Sequence, residues 1–232
     1  MHQVPKIVRQ KRQDSAKSAT PRELAAQRSR QELLQVAIEE FAAHGLAGAR
    51  VDAIAERTRT SKAMIYYHFG SKEAMYGEVL AHVYALIGAS EQTLALDDEA
   101  SAEKMLTRFV EHTFDFHENN PVFSRIIHIE NTNHSAALRL SPQVKNLNRP
   151  VIDILTRILH KGVAAQQFRD DIEAVELHLT ISALCLYRMS NRSTFGLIFG
   201  VDFSAPAVIA RQRELAVQAV LGLVRHPLLE TR

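Results

Sequence analysis

The segment from Val51 to Glu73, VDAIAERTRTSKAMIYYHFGSKE, constrains this chain more than any other. Val51, Ile54 and Ala55 repeat at helical spacing, and a polar break follows at Arg57 to Thr60. Ser61 then stands where a second short helix needs an N-cap. That helix is expected to turn Ile65, Tyr66 and Phe69 inward and to present Lys62, Ala63, Met64, Tyr67 and His68 outward. It runs straight into a further helix opened by Ser71-Lys72-Glu73, which completes the layout of a helix-turn-helix. A helix of this size, small and polar at its N-terminal end, fits the major groove of double-stranded DNA.

The charge distribution agrees. The net charge of +2 over 232 residues hides an asymmetry. Through Lys72 the chain carries 13 basic and 7 acidic residues, and the remainder carries 15 and 19. The positive charge sits with the expected reading head, where phosphate neutralisation supplies nonspecific affinity. Residues 1–25 read as a basic flexible arm, with Lys6, Arg9, Lys11, Arg12, Lys17 and Arg22 outnumbering Asp14 and Glu23. Such an arm lies along a backbone or enters a minor groove, or else it is a solvated tail with no role.

The rest of the chain reads as all-α. Thr20, Pro21 and Glu23 suit a helix start, and Leu33, Leu34, Ala37, Ile38 and Phe41 form an apolar stripe that ends at Gly45. Further helices are expected from Ser71 to about Ala89, Ala102 to Asn119, Pro121 to about Ile129, Leu147 to Gln167, Ile172 to Met189 and Ala207 to Val224. Leu94 to Glu99 and Asn131 to Pro142 read as polar loops, and Ile198 to Phe203 is the one stretch with room for a short strand. The expected division is an N-terminal three-helix DNA-binding domain over 26–72 and a larger C-terminal helical domain over 73–232.

At Gly45 to Glu73 the chain resembles the tetracycline-repressor (TetR) family of bacterial one-component regulators. The residues that carry the resemblance are Phe41, Gly45, Ile54-Ala55, Ser61, Ile65-Tyr66, Phe69 and Ser71-Lys72-Glu73. Two departures stand out. Ala49-Arg50 replaces the family's Thr before the second helix, which removes a cap worth about 1 kcal/mol unless Asp52 compensates. Arg59 replaces the glycine of the turn, so either the turn is shaped differently or Arg59 is held there by a phosphate.

The resemblance implies a homodimeric regulator, most simply a repressor, bound to an imperfect palindrome and released by a small organic effector. Ser61, Lys62, Ala63, Met64, Tyr67, His68 and Lys72 are the expected DNA contacts, with Arg50 and Arg59 at phosphate. Ala63 and Met64 suit a thymine methyl, and Tyr66 and Phe69 are expected to be core. The family's four-helix dimer bundle maps onto Ile172–Met189 and Ala207–Val224. Effector candidates are Phe109, His112, Phe116, Ile127, Asn131, Ile158, Ile181, Cys185 and Arg188, each of which core packing or a dimer contact would explain instead. Arg188 needs a partner, either a ligand carboxylate or an internal acid such as Glu176 or Glu130.

Other classes find less support. His112, His117, His128 and His134 with Asp115, Glu118 and Glu130 lack the spacing of a helical zinc site, so no metal and no cofactor is expected. Cys185 has no second cysteine to resolve an oxidised thiol, and a single cysteine suits the cytoplasm. No nucleophile elbow, phosphate-cradling loop or His-Glu metal motif points to an enzyme. The N-terminus lacks the apolar core of a secretory signal, and no run approaches the roughly 18 apolar residues of a membrane span. The competing function is a dimeric DNA-binding protein or activator whose C-terminal domain has no small-molecule pocket and serves only dimerisation or protein contact.

Overall fold

The computed structural model describes residues 21–94, 99–135, 138 and 149–225. Most of the expected basic arm lies outside them. So do the middle of the Leu94–Glu99 loop, half of the loop expected from Asn131 to Pro142, and the start of the helix expected from Leu147.

Nine helices run through the described residues: α1 (Pro21–Gly48), α2 (Val51–Arg57), α3 (Lys62–Phe69), α4 (Lys72–Gln92), α5 (Ala102–Asn119), α6 (Pro121–Thr132), α7 (Arg149–Ala164), α8 (Ala174–Phe199) and α9 (Pro206–Val224). No strand is found among these residues. The only sheet-like feature there is a single antiparallel bridge between Phe168 and Arg225. The segment from Ile198 to Phe203 is therefore not a strand. Ile198 and Phe199 continue α8, which runs ten residues past its expected end at Met189 and stops at Gly200, φ 66°.

The starts follow local chemistry. Ser61, Ser71 and Ser101 each accept a backbone N–H three residues on, from Met64, Ala74 and Lys104. Pro121 and Pro206 open α6 and α9, where a missing N–H costs nothing. Glu173 and Glu176 form a reciprocal capping box on α8. The ends are less usual. In α2 the Thr60 N–H donates to the Ala55 carbonyl and the Arg59 N–H to that of Glu56. This closure needs a left-handed residue between them, and Arg59 supplies it at φ 51°. His134 ends α6 and Gln166 ends α7 by the same paired bonds, at φ 56° and 55°. A chain with nine glycines places none at these three positions, where glycine would cost least.

Two hydrophobic cores organise the packing. The first joins α1, α2, α3, α4 and α6, with Phe41, Ile54, Ile65, Met75, Tyr76 and Ile126 at its centre. The second joins α5, α7, α8 and α9 around Leu106, Phe109, Leu155, Ile158, Leu177 and Ile181. Ion pairs stitch the second unit from outside: Arg213 grips Asp115 with two bonds of 2.9 Å and reaches Glu111 at 2.7 Å.

The Phe168 ring lies directly over Gly162, and any Cβ there would enter the ring's envelope. Alanine in a helix ordinarily gains up to about 1 kcal/mol over glycine. Gly162→Ala is expected to do the opposite, lowering stability by about 1–3 kcal/mol in a urea melt because the buried Phe168 has nowhere to move.

Candidate DNA interface and ligand cavity

The recognition helix α3 is anchored by Ile65 and Phe69, both buried, with the Arg30 guanidinium stacked 4.9 Å over the Phe69 ring. Its other face is open. Ser61, Lys62, Ala63 and Met64 are exposed, His68 is half-buried, and Tyr67 is 80 % exposed. Tyr66 departs from expectation: it stands 44 % exposed rather than in the core. A helix of only eight residues gives one narrow stripe to its scaffold, and Ile65 and Phe69, four residues apart, fill it.

The flanking cations are placed by their own neighbours. Lys62 pairs with Asp52 at 2.5 Å, with both side chains about half exposed. Such a pair contributes little in water and opens readily to a phosphate. Arg57 pairs with Glu39 of α1. Lys72 donates from Nζ to the Ala47 carbonyl at 3.3 Å, beside the start of α4. Arg50 is exposed, and no side chain caps α2. Instead the buried Glu40 carboxylate accepts the Arg50 backbone N–H at 3.0 Å, while Asp52 is engaged by Lys62. The turn keeps the shape that glycine would give it, with Arg59 strained into a left-handed conformation and exposed beside α3.

Further along the chain, α4, α5, α6 and α8 line a half-open cavity of about 420 Å³. Tyr84, Ile87 and Glu91 line it from α4, and His117 from α5. Phe123, Ile127, His128 and Asn131 of α6 and His178, Ser182, Leu186 and Tyr187 of α8 complete the wall. The volume suits a small organic molecule. The Phe123 ring meets Phe116 and Tyr84 edge-on at 5.2 and 6.4 Å.

The titratable groups on this wall are shaped mainly by loss of water. Burial raises the Glu91 carboxyl to about 7. Burial, with His178 nearby, lowers His117 to about 4, and its Nδ1 is shared with Ser124 Oγ at 3.0 Å. Burial also lowers His178, whose Nδ1 is buried without a hydrogen-bond partner.

Of the effector candidates, Ile127 and Asn131 stand on the cavity wall. Phe116 packs behind it, and His112 Nε2 meets Ser90 Oγ at 3.1 Å. Phe109, Ile158, Ile181 and Cys185 are interior to the second core, and burial pushes the Cys185 thiol up to about 12. Arg188 finds neither Glu176 nor Glu130. It pairs with Glu118 of α5, lies 4.6 Å over the Phe114 ring, and shares Glu118 with Arg192. Among the described residues no cluster of histidines, cysteines and acids gathers to hold a metal. The histidines and acids weighed for one are scattered over α5, α6 and the turn after it.

Sequence reasoning missed Tyr84, Glu91 and His178, and weighed His117 only as a metal ligand. The signal for Glu91 was present: Tyr84, Ile87 and Glu91 fall at i, i+3 and i+7, one inward stripe. An expected helix end at Ala89 cut that stripe short.

Two family models match this chain. One, described as bacterial regulatory proteins of the tetR family, covers residues 33–79. The other, a tetracyclin repressor-like C-terminal domain, covers residues 103–220. The HTH-type transcriptional repressor NicS of Pseudomonas putida is 34 % identical over 179 residues, covering 77 % of this chain and 84 % of NicS. The repressor KstR2 of Rhodococcus jostii is 30 % identical over 64 % of this chain and 71 % of its own length. The activator FasR of Mycolicibacterium smegmatis is 33 % identical over 60 % and 64 %. Among solved structures, the ketosteroid regulator KstR2 of Mycobacterium tuberculosis superposes with a TM-score of 0.63 at 21 % identity, over 85 % of this chain and 95 % of that one.

Two substitutions test the strained and buried groups. Arg59→Gly is expected to stabilise the protein by about 0.5–1 kcal/mol in a urea melt by relieving the left-handed turn, while weakening DNA binding. Glu91 carries a raised carboxyl, so the fold holds its proton more tightly than the unfolded chain does. Its contribution is full below about pH 4.5 and is lost as the pH rises through about 7. Glu91→Gln is therefore expected to be more stable than the parent at pH 8 by about 1–3 kcal/mol and nearly equal at pH 5, read as thermal midpoints. His117 changes charge on the acid side in both proteins and cancels.

Proposed function

The chain belongs to the tetracycline-repressor family of bacterial transcriptional regulators, and from that premise we propose that it is a homodimeric repressor released from a palindromic operator by a small organic effector. The observation that carries the reading is α4. Its first residue, Lys72, rests on the end of α1 beside the reading helix, and its last turn holds Glu91 in the cavity wall. Nineteen residues of helix separate the two, roughly 28 Å at 1.5 Å per residue. A ligand that shifts the far end of α4 acts on the reading head through one rigid element. Release then requires different ligand affinity in the DNA-bound and free arrangements, as any population shift does.

In this reading residues 26–72 form the DNA-binding unit and 73–232 the effector and dimer unit. Lys62, Ala63, Met64, Tyr67 and His68 meet base edges or backbone, and Ser61 caps the helix that carries them. Arg50, Arg59 and Lys72 meet phosphates. Apolar side chains exposed along α8 support pairing of two copies: Val175, Leu179, Tyr187, Leu197, Ile198 and Phe199, with Leu197 exposed by 87 %. A patch of that kind marks a covered surface, and two half-sites give the area that one small head lacks. The cavity favours an effector-responsive protein over one whose C-terminal unit only dimerises. An activator would use the same geometry. Among the described residues no helix is long and apolar enough to cross a membrane, and a place in the cytoplasm beside DNA completes the reading.

Selection from a random duplex pool is expected to enrich an inverted repeat with half-sites about 34–36 Å apart or a multiple of it. On that duplex, Tyr67→Ala should weaken binding at least tenfold, or about 1.4 kcal/mol. Leu197→Asp should leave a monomer by light scattering with only weak affinity. A single unrepeated site, or a dimer indifferent to Leu197→Asp, would remove the proposal in its present form.

A further inference from the structure

We infer that the ligand of the cavity is an amphiphilic organic cation, a protonated amine on an apolar or aromatic body, with Glu91 as its counter-ion. The inference rests on the effector reading for what binding achieves, and on the wall itself for what binds. Glu91 is 3 % exposed and lines the cavity, and no described residue donates a hydrogen bond to its carboxylate. A buried carboxylate without a partner is among the costliest groups a chain can keep. Other acids in this protein show the usual remedy: Glu118 holds two arginines, and Glu130 holds the Tyr76 hydroxyl and the Leu138 N–H. Glu91 has nothing comparable, so its counter-ion comes from outside.

The rest of the wall accepts a cation and rejects an anion. Among the described residues no lysine or arginine lines the cavity. The nearest guanidiniums along α8, those of Arg188 and Arg192, are both engaged by Glu118. His117 and His178 are held neutral by burial, so neither offers positive charge to a carboxylate or phosphate. Glu91 lies in the last turn of α4, where the helix's own carbonyls add partial negative charge. Tyr84, Phe123 and Tyr187 supply aromatic surfaces of the kind that attract ammonium groups.

The test is calorimetric titration of the full-length protein with arylalkylamines of increasing chain length, each beside its matched alcohol and matched carboxylate. At least one amine is expected to bind ten times tighter than its alcohol, and its carboxylate not at all. In Glu91→Gln the amine and alcohol are expected to bind equally. A carboxylate that outcompetes the amine, an amine advantage that survives Glu91→Gln, or a series in which nothing binds would overturn the assignment. The amine–carboxylate comparison on the parent protein needs no variant to fold. Anisotropy on an operator duplex separates the two readings. Amine binding without DNA release keeps the cation and removes the effector role. Release by a carboxylate keeps the effector role and removes the cation.

Discussion

Tyr76 joins three helices at one buried point. Its ring packs 4.9 Å from Phe41 of α1, and its hydroxyl donates to Glu130 of α6 at 3.1 Å from its own place on α4. The hydroxyl enters the core only because the Glu130 carboxylate is there to receive it, and burial beside that charge drives its acidity far down. The other Glu130 oxygen takes the Leu138 N–H. Removing either partner would strand a polar group in a dry interior. The reading head is thereby tied to α4 and α6, the helices that also wall the cavity, and the Arg30–Glu78 pair adds a second tie at the surface.

This arrangement makes one hydrophobic core serve two purposes. The core that orients the recognition helix continues along α4 and α6 into the region of Tyr84, Ile87 and Phe123. Close-packed interiors do not bend smoothly; they settle into one packing or another. In the proposed repressor, movement at the cavity end of α4 would be answered by repacking near the head. The second core, centred on α5 and α8, is fastened by arginine–carboxylate pairs such as Arg213 with Asp115.

Two of the places where the chain accepts an avoidable cost are the turn before α3 and the last turn of α4. Arg59 holds a left-handed turn next to the reading helix where glycine would relax it. Glu91 keeps a carboxyl in the cavity where glutamine would not need to ionise. A phosphate at Arg59 and a cation at Glu91 would each supply what the isolated chain lacks.

Much of this was legible from residue order. Amphipathic spacing predicted α5 and α9 to within a residue, serine caps placed the starts of α3 and α4, and Gly45, at φ 65°, breaks α1 where its stripe ends. Periodicity failed where its premise failed. The last ten residues of α8 carry apolar side chains on exposed faces, so no single buried stripe marks them. Tyr66 looked like core because an aromatic on a short helix usually is, yet two neighbours already filled its inner face. Sequence by itself determined the helices and the polar flank of α3, because both follow from local spacing and capping. Only the tertiary structure decided which acid Arg188 meets, which residues wall the cavity, and that Glu91 stands there unpaired. Those outcomes depend on distances between helices far apart in the chain, which local spacing does not encode.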